Sequence, residues 1–207
     1  MSSFPSVVYR HRNGLYLNIT NRCPTNCVFC LKHKSKMIFM GCNLNLEGQE
    51  PSAEEAVELA GRELFSAPAE EIVFCGFGEP TMRLDALLEI AAGLKREHGR
   101  GLRVRLNTVG LGSLVNGKDI APLLAESFDS VHVSLNAADK AKWLELVRPL
   151  EPYREEGFAA VVEFLRSCSK NVGETVATVV DLPGIDAGAA RELAEKAGAA
   201  FRLRQYL

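Results

Sequence analysis

The sequence predicts an α/β fold, a partial (β/α)6 TIM-like barrel of parallel strands with its ligand site at the carboxyl ends of those strands. Three observations lead there. Strand-like and helix-like stretches alternate along nearly the whole chain, the pattern of parallel strands joined by crossover helices. Several strand candidates have one apolar and one polar face, whereas a doubly wound sheet, covered by helices on both sides, reads as continuous apolar runs. One connection, Asn21–Pro51, is long and without periodicity; loops beyond ~15 residues are uncommon and often functional. Strands at sheet edges, with their polar faces solvated, would give the second observation too.

The first strand candidate is Leu15–Thr20, with Leu15, Leu17 and Ile19 on one face and Asn18 and Thr20 on the other. Ser52–Ser66 reads as a helix, with Ser52 and Glu55 forming a capping box at its start. Glu71–Gly76 is a short β-rich run. Leu84, Leu87, Leu88 and Ala91 then recur at helical spacing. In the third strand, Arg103–Thr108, Val104 and Leu106 oppose Arg103, Arg105 and Asn107. Asp119–Glu126 is a short helix. In the fourth strand, Ser130–Asn136, Val131, Val133 and Leu135 oppose His132, Ser134 and Asn136. A helix follows at Lys140–Val147, and Phe158, Val161, Val162 and Leu165 mark the apolar face of the next. Glu174–Asp181 is a strand, Ala187–Ala197 a helix, and Phe201–Leu207 a sixth strand in which Phe201 and Leu203 oppose Arg202 and Arg204. No Pro/Gly/Ser-rich linker divides the chain, so residues 1–207 are expected to form one domain.

Composition excludes several classes. Of the 207 residues, 47% are hydrophobic and 24% charged, which rules out wholesale disorder. The net charge of -2 argues against a generic polyanion binder, so no nucleic-acid partner is expected. No apolar run approaches the ~20 residues of a membrane span. Met1–Asn13 lacks the apolar core of a secretory signal. The expected compartment is the cytoplasm, where thiols stay reduced.

Six cysteines are too sparse for a disulfide scaffold. Cys42, Cys75 and Cys168 are scattered and read as ordinary small residues, but Cys23, Cys27 and Cys30 form a C-x3-C-x2-C cluster inside the long connection. Thiolates at this density suit zinc or an iron–sulfur cluster. Structural zinc wants four ligands, usually from a second pair; none exists here, although His33 or Cys42 could supply a fourth. Three thiolates on a [4Fe–4S] cluster leave one iron open, as a metal centre needs in order to engage a small molecule.

The spacing C-x3-C-x-aromatic-C after a first strand resembles the signature of the radical S-adenosylmethionine (SAM) enzymes. Two further motifs fall in that family's order. Gly76-Phe77-Gly78-Glu79-Pro80 follows the second strand, with Phe77 displacing the first glycine of the common double-glycine form. Ser134-Leu135-Asn136 closes the fourth strand. More narrowly, the stretches Leu15–Cys23, Val73–Pro80, Arg105–Thr108, Val133–Asn136 and Thr178–Asp181 resemble the small TatD-family-associated radical SAM proteins, a name that records an association with a hydrolase family.

The resemblance implies a [4Fe–4S] cluster held by Cys23, Cys27 and Cys30, and SAM as the second cofactor. It places Phe29 near the adenine, Gly76, Gly78, Glu79 and Pro80 at the methionyl amino group, and Ser134 and Asn136 at the ribose and carboxylate. Asn107, on the matching face of the neighbouring strand, is a further SAM contact or a structural hydrogen-bonder. The implied reaction is reductive cleavage of SAM to a 5′-deoxyadenosyl radical, which abstracts hydrogen from a substrate. The implied partners are a small-molecule substrate, a one-electron donor such as flavodoxin or ferredoxin, and a TatD-like hydrolase. Polar arginines that line a lumen need anionic partners: Arg103, Arg105, Arg202 and Arg204 either form salt bridges within the chain or are solvated at an edge, or at least one, Arg105 or Arg204, meets a carboxylate or phosphate on SAM or an anionic substrate. His132 reads as a satisfied core histidine. A rival from another class is a metal- or cluster-binding interaction module that does not cleave SAM.

Overall fold

A computed structural model describes residues 5–99 and 101–206. In chain order the elements are β1 (Val8–His11), β2 (Gly14–Leu17), α1 (Leu31–Ser35), β3 (Ile38–Phe39), β4 (Cys42–Asn43), α2 (Ala53–Ser66), β5 (Glu71–Phe74), α3 (Leu84–His98), β6 (Val104–Thr108), α4 (Gly112–Asn116), α5 (Ala121–Ala125), β7 (Ser130–Ser134), α6 (Lys140–Val147), α7 (Gly157–Asn171), β8 (Glu174–Val180), α8 (Ala187–Lys196) and β9 (Ala200–Arg204). The main sheet has the order β1-β2-β5-β6-β7-β8-β9. All of its pairings are parallel except β1 with β2. The six parallel strands are those the alternation predicts. β1 was not anticipated, because a four-residue strand hairpinned onto β2 lies outside the β/α rhythm. The last strand ends at Arg204, and Leu207 of its expected span lies outside the described residues.

Register assigns the faces. Tyr16, Val73, Arg105, Ser130 and Glu174 lie in one row across five strands; Asn107, His132 and Val176 form the next, and Ser134, Thr178 and Arg202 the next. The opposite face carries Leu15, Leu17, Ile72, Phe74, Val104, Leu106, Val131, Val133, Ala177 and Val179. These merge with the helices into the main core, with Trp143, Phe164 and Leu87. Val73, Val176 and Val180 are buried yet stay outside that core. The helices therefore cover one side of the sheet only. Since β6 and β7 are central strands with polar inner faces, edge solvation does not explain the pattern. Helix starts follow their sequence signals: the Glu55 N–H donates to Ser52 Oγ at 3.1 Å and the Ser52 N–H to Glu55 at 2.8 Å.

The amino-terminal ends of the strands close on themselves. Arg105 donates to Glu71 at 2.6 Å and meets His132 Nδ1 at 3.0 Å. Arg103 pairs with Glu174 at 2.5 Å, and Ser130 donates to the same carboxylate at 2.7 Å. The expected anionic partner of Arg105 is thus Glu71 of its own chain, far along the strand from the ligand end. Alternation fixes a residue's face but not which neighbour sits beside it at that level. Burial, and then the Arg105 charge, push the His132 pKa down to about 3, as a neutral core histidine requires.

The long connection carries structure too short to leave a period: α1 and the β3–β4 hairpin. Leu44 of this excursion joins Tyr9 and Phe77 in a second small core, with Tyr16, Leu31, Met37 and Phe39 against it. Its other flank reaches the far edge of the sheet, where the Lys34 ammonium lies 4.2 Å from the centroid of the Tyr206 ring.

Candidate functional site

The cysteine loop leaves the carboxyl end of β2 under tight restraint. Asn18 and Asn21 each donate to the Leu44 carbonyl at 2.9 Å, and the Leu46 N–H donates to Asn21 Oδ1 at 2.7 Å. Glu50 gathers three partners: the Thr20 hydroxyl, Arg22 at 2.9 Å and Arg83 at 3.2 Å. Arg83 also donates to the Ile19 and Pro51 carbonyls, at 2.8 and 2.9 Å. Sequence reasoning missed Glu50 and Arg83, and no motif or period marks them.

The loop then runs antiparallel beside the segment after α6. The Asn26 N–H donates to the Arg148 carbonyl, the Val28 N–H to Leu146 and the Leu150 N–H to Pro24, all at 2.9 Å. In this extended stretch Asn26 and Val28 face outward, while Thr25 and Cys27 are buried. Thr25 Oγ1 sits between two of the sulfurs, 3.3 Å from Cys23 and 3.4 Å from Cys27. The Cys30 N–H donates to the Cys27 carbonyl at 3.1 Å, folding the third thiol back toward the other two. Burial raises the Cys23 and Cys27 thiols, Cys27 to about 12, with the Cys23 and Cys30 sulfurs adding to the effect. All six cysteines are free. Among the described residues no three His, Cys, Asp or Glu gather tightly enough for a single metal ion.

Gly76–Pro80 locks against the start of the same loop. A Cβ on Gly76 would fall on the Asn18 side-chain carbonyl, and one on Gly78 would fall on the Thr20 carbonyl. The Glu79 N–H donates to the Arg22 carbonyl at 2.8 Å. The glycines thus let chain approach chain, a use not anticipated from the motif. The Glu79 carboxylate is 1% exposed. It accepts from the Thr81 N–H and hydroxyl at 3.1 and 2.7 Å, from the Thr108 hydroxyl at 2.9 Å and from the Val109 N–H at 2.7 Å. Burial raises its pKa, and these donors oppose the rise. Its side chain is committed to joining the ends of β5 and β6, so acceptors for a ligand ammonium on this segment are backbone carbonyls. Pro80, buried, opens the 3-10 turn that follows. Phe29 is half-buried and lies against the main core.

Asn107, Ser134 and Asn136 stand at the carboxyl ends of β6 and β7. Asn107 lies close to Cys75, whose thiol burial pushes up. Yet Asn107 Oδ1 is a buried acceptor with no partner, and so is Asn136 Oδ1. Asn136 is held in the left-handed region at φ 60°, donating to the Ser134 carbonyl at 3.2 Å. A buried acceptor left unpaired costs about 1–3 kcal/mol, and of the six such buried polar atoms among the described residues these two amide oxygens stand together at the carboxyl ends of neighbouring strands, where an outside donor could reach them. The Arg204 charge is felt at Cys75 although three strands separate β9 from β5, so the sheet curls its inner face around this end.

Residues 17–197 match the sequence family described as the Radical SAM superfamily. The chain belongs to the radical SAM superfamily. It is 30% identical over 156 residues to a dual-specificity RNA methyltransferase RlmN of Xanthomonas campestris pv. campestris, covering 72% of this chain and 34% of that protein. It is 29% identical over 139 residues to a GTP 3′,8-cyclase of Rhodococcus opacus, covering 67% and 36%. The chain thus spans about a third of the curated relatives it matches. In fold it is similar to the crystal structure of Streptococcus suis SuiB, with a TM-score of 0.65 and 16% identity, covering 99% of this chain and 40% of that one. Radical SAM enzymes use a [4Fe–4S] cluster and S-adenosylmethionine, and they need a reductant and a substrate. The soft donor set and the two orphaned acceptors fit those cofactors. No helix among the described residues is long and apolar enough to cross a membrane.

Proposed function

We propose that residues 1–207 form one radical SAM core in which Cys23, Cys27 and Cys30 hold the cluster, while the Gly76–Pro80 backbone, Asn107, Ser134 and Asn136 receive SAM. Phe29 flanks the adenine from the loop between the second and third thiols. Cys23, Cys27 and Cys30 would hold the cluster, which would supply the one electron that breaks the 5′-carbon–sulfur bond of SAM, with methionine as the leaving group and a 5′-deoxyadenosyl radical left to take hydrogen from substrate. The chain's own residues bind, orient and exclude water. Thr25 holds two of the sulfurs, Glu79 fixes the β5 and β6 ends relative to each other, and the Tyr9–Leu44–Phe77 core shields the inner face. The observation that supports this reading most is the pair of orphaned amide oxygens at the carboxyl ends of β6 and β7, the same end of the sheet from which the cysteine loop leaves β2.

The substrate remains a class rather than a compound. The relatives' names include an RNA methyltransferase and a GTP cyclase, so the expectation that nucleic acid plays no part is not carried forward. The reduced thiols favour a cytoplasmic setting. The test is anaerobic reconstitution with iron and sulfide, followed by incubation with SAM and dithionite. Near four irons per chain and release of 5′-deoxyadenosine are expected. Bound zinc, or a cluster that leaves SAM intact under reduction, would replace this reading with a metal-binding module.

A further inference from the structure

The strands' inner face carries more positive charge than its own carboxylates balance. Glu71 and Glu174 are both taken at the amino-terminal end, by Arg105 at 2.6 Å and by Arg103 at 2.5 Å. His132 beside them stays neutral. Arg202 and Arg204 of β9 belong to the same face. The register sets Arg202 in the row of Ser134 and Thr178, and Arg204 beside Val180, two residues nearer the carboxyl end. Phe201 and Leu203 alternate to the other side, where the Arg191 guanidinium lies 4.7 Å from the centroid of the Phe201 ring.

Among the described residues neither Arg202 nor Arg204 forms a salt bridge. The groups whose charge acts on Arg204 are the Cys75 thiol and the Arg202 guanidinium, and no carboxylate is among them. Burial raises the Cys75 pKa, so that thiol is neutral. The Arg202 charge reaches His132 and Glu174, but Glu174 is already held by Arg103 and Ser130. Glu79, at the same end as Arg204, is enclosed by its own four donors. Water reaches the Arg204 side chain, yet burial is the largest influence lowering its pKa. Both hold for a cation on the concave side of an open, curled sheet. Two guanidiniums held together there without a carboxylate repel each other, and an anion between them removes that cost.

We propose that Arg202 and Arg204 form the subsite for a phosphate monoester group on the substrate. This rests on the reading that the cluster and SAM occupy the carboxyl end of the sheet, and it names the class of molecule that joins them. The cofactors do not supply the missing anion. SAM carries an ammonium, a sulfonium and one carboxylate, a single positive charge in sum. An oxidised [4Fe–4S] core with three thiolates carries a single negative charge. The two cancel, and both guanidiniums stay uncompensated. A phosphate monoester brings close to two negative charges and oxygens that match the guanidinium fork. With Cα atoms ~7 Å apart on one strand face, the arginines grip one such group from two sides. The phosphodiester of an RNA backbone brings one charge and suits the pair less. No bond is made or broken at this subsite; it anchors one end of the substrate.

The experiment needs no turnover. Phenylglyoxal modifies accessible guanidiniums, and peptide mass spectrometry reads the rate at each arginine of the reconstituted full chain. Arg202 and Arg204 are expected to react about fivefold more slowly in inorganic phosphate than in chloride of equal ionic strength. Arg62, exposed and paired with Glu58, should react equally in both. The protection should persist with SAM bound, and dimethyl phosphate, with its single charge, should protect much less. Arg202→Gln should remove most of the phosphate protection at Arg204. Equal rates in phosphate and chloride would overturn the proposal. Full protection by SAM alone would also overturn it and give the pair to the SAM carboxylate. Protection by malonate without protection by phosphate would overturn it in favour of a dicarboxylate, and equal protection by dimethyl phosphate in favour of a nucleic-acid backbone. The underlying function fails separately: a reconstituted parent that leaves SAM intact under dithionite sinks that reading, whatever the rates at Arg204.

Discussion

The two ends of the sheet's inner face are built from similar residues and treated oppositely. At the amino-terminal end, Arg103, Arg105, Glu71, Glu174, Ser130 and His132 pair with one another, and the Arg105 Nε is left without a partner. At the carboxyl end, Asn107 and Asn136 keep buried oxygens without partners, and Cys23, Cys27 and Cys30 are free thiols. Polar residues inside a barrel are therefore not by themselves a site. What separates the two ends is charge pairing: each carboxylate at the first meets a guanidinium, while the second keeps bare amide acceptors. A paired network stabilises; an unpaired acceptor carries a cost that a ligand can relieve.

Four substitutions or titrations would break or sharpen that contrast. The largest effect is expected from Cys27→Ala, which should abolish cluster loading and SAM cleavage while the far-ultraviolet circular dichroism stays that of the parent. Retention of near-parental iron would show that the thiol lies outside the site. At the opposite end, Glu71→Ala strands the Arg105 guanidinium, whose side chain is 11% exposed. Removing one partner of a buried pair costs on the order of 3–5 kcal/mol; some solvent at Glu71 places the expectation near the lower figure, read as a fall in the urea midpoint. SAM affinity of the folded fraction should be unaltered.

Asn107→Leu reverses that signature. Replacing an unpaired buried amide by an apolar group is nearly neutral for folding, so the urea midpoint should hold. SAM binding should weaken about tenfold, equivalent to ~1.4 kcal/mol, in equilibrium dialysis against the reconstituted protein. A drop in stability without a drop in affinity would move Asn107 to the structural end of the comparison. The smallest effect is a pH slope. An unfolded histidine takes up its proton near pH 6.5, but His132 in the fold refuses it until about 3. Stability from this group is complete above pH 6.5 and drains as pH falls toward 3, by at most about 1.4 kcal/mol per unit. Between pH 6.5 and 5, His132→Gln should flatten the decline seen in the parent.

Much of this architecture was open to reading before any coordinates. The six parallel strands, the one-sided polarity of the third and fourth, and the spacing of the three cysteines all repeat short-range rules. The Ser52–Glu55 cap is equally local. The rest depends on contacts that no period records. β1 pairs antiparallel beside a hairpin turn and so breaks no alternation. The α1 and β3–β4 pieces, of five and two residues, are too brief to show one. Glu50 matters because Thr20, Arg22 and Arg83 meet there from distant positions. Arg105 has the predicted face, but its partner follows from the parallel register that sets Val73, and with it the start of β5, beside it. Gly76 and Gly78 keep their motif positions, while the backbone they admit is the chain's own.

The excursion between the cysteines and α2 bridges the sheet's two free edges without joining either as a strand. At its far side the described contact is one ammonium over one ring, a bond of about 0.5–1 kcal/mol at an exposed position, close to thermal energy. Such a clasp can slip while every ladder bond beneath it stays intact. The excursion is thus expected to loosen at this flank before any strand of the sheet beneath it parts from its neighbour.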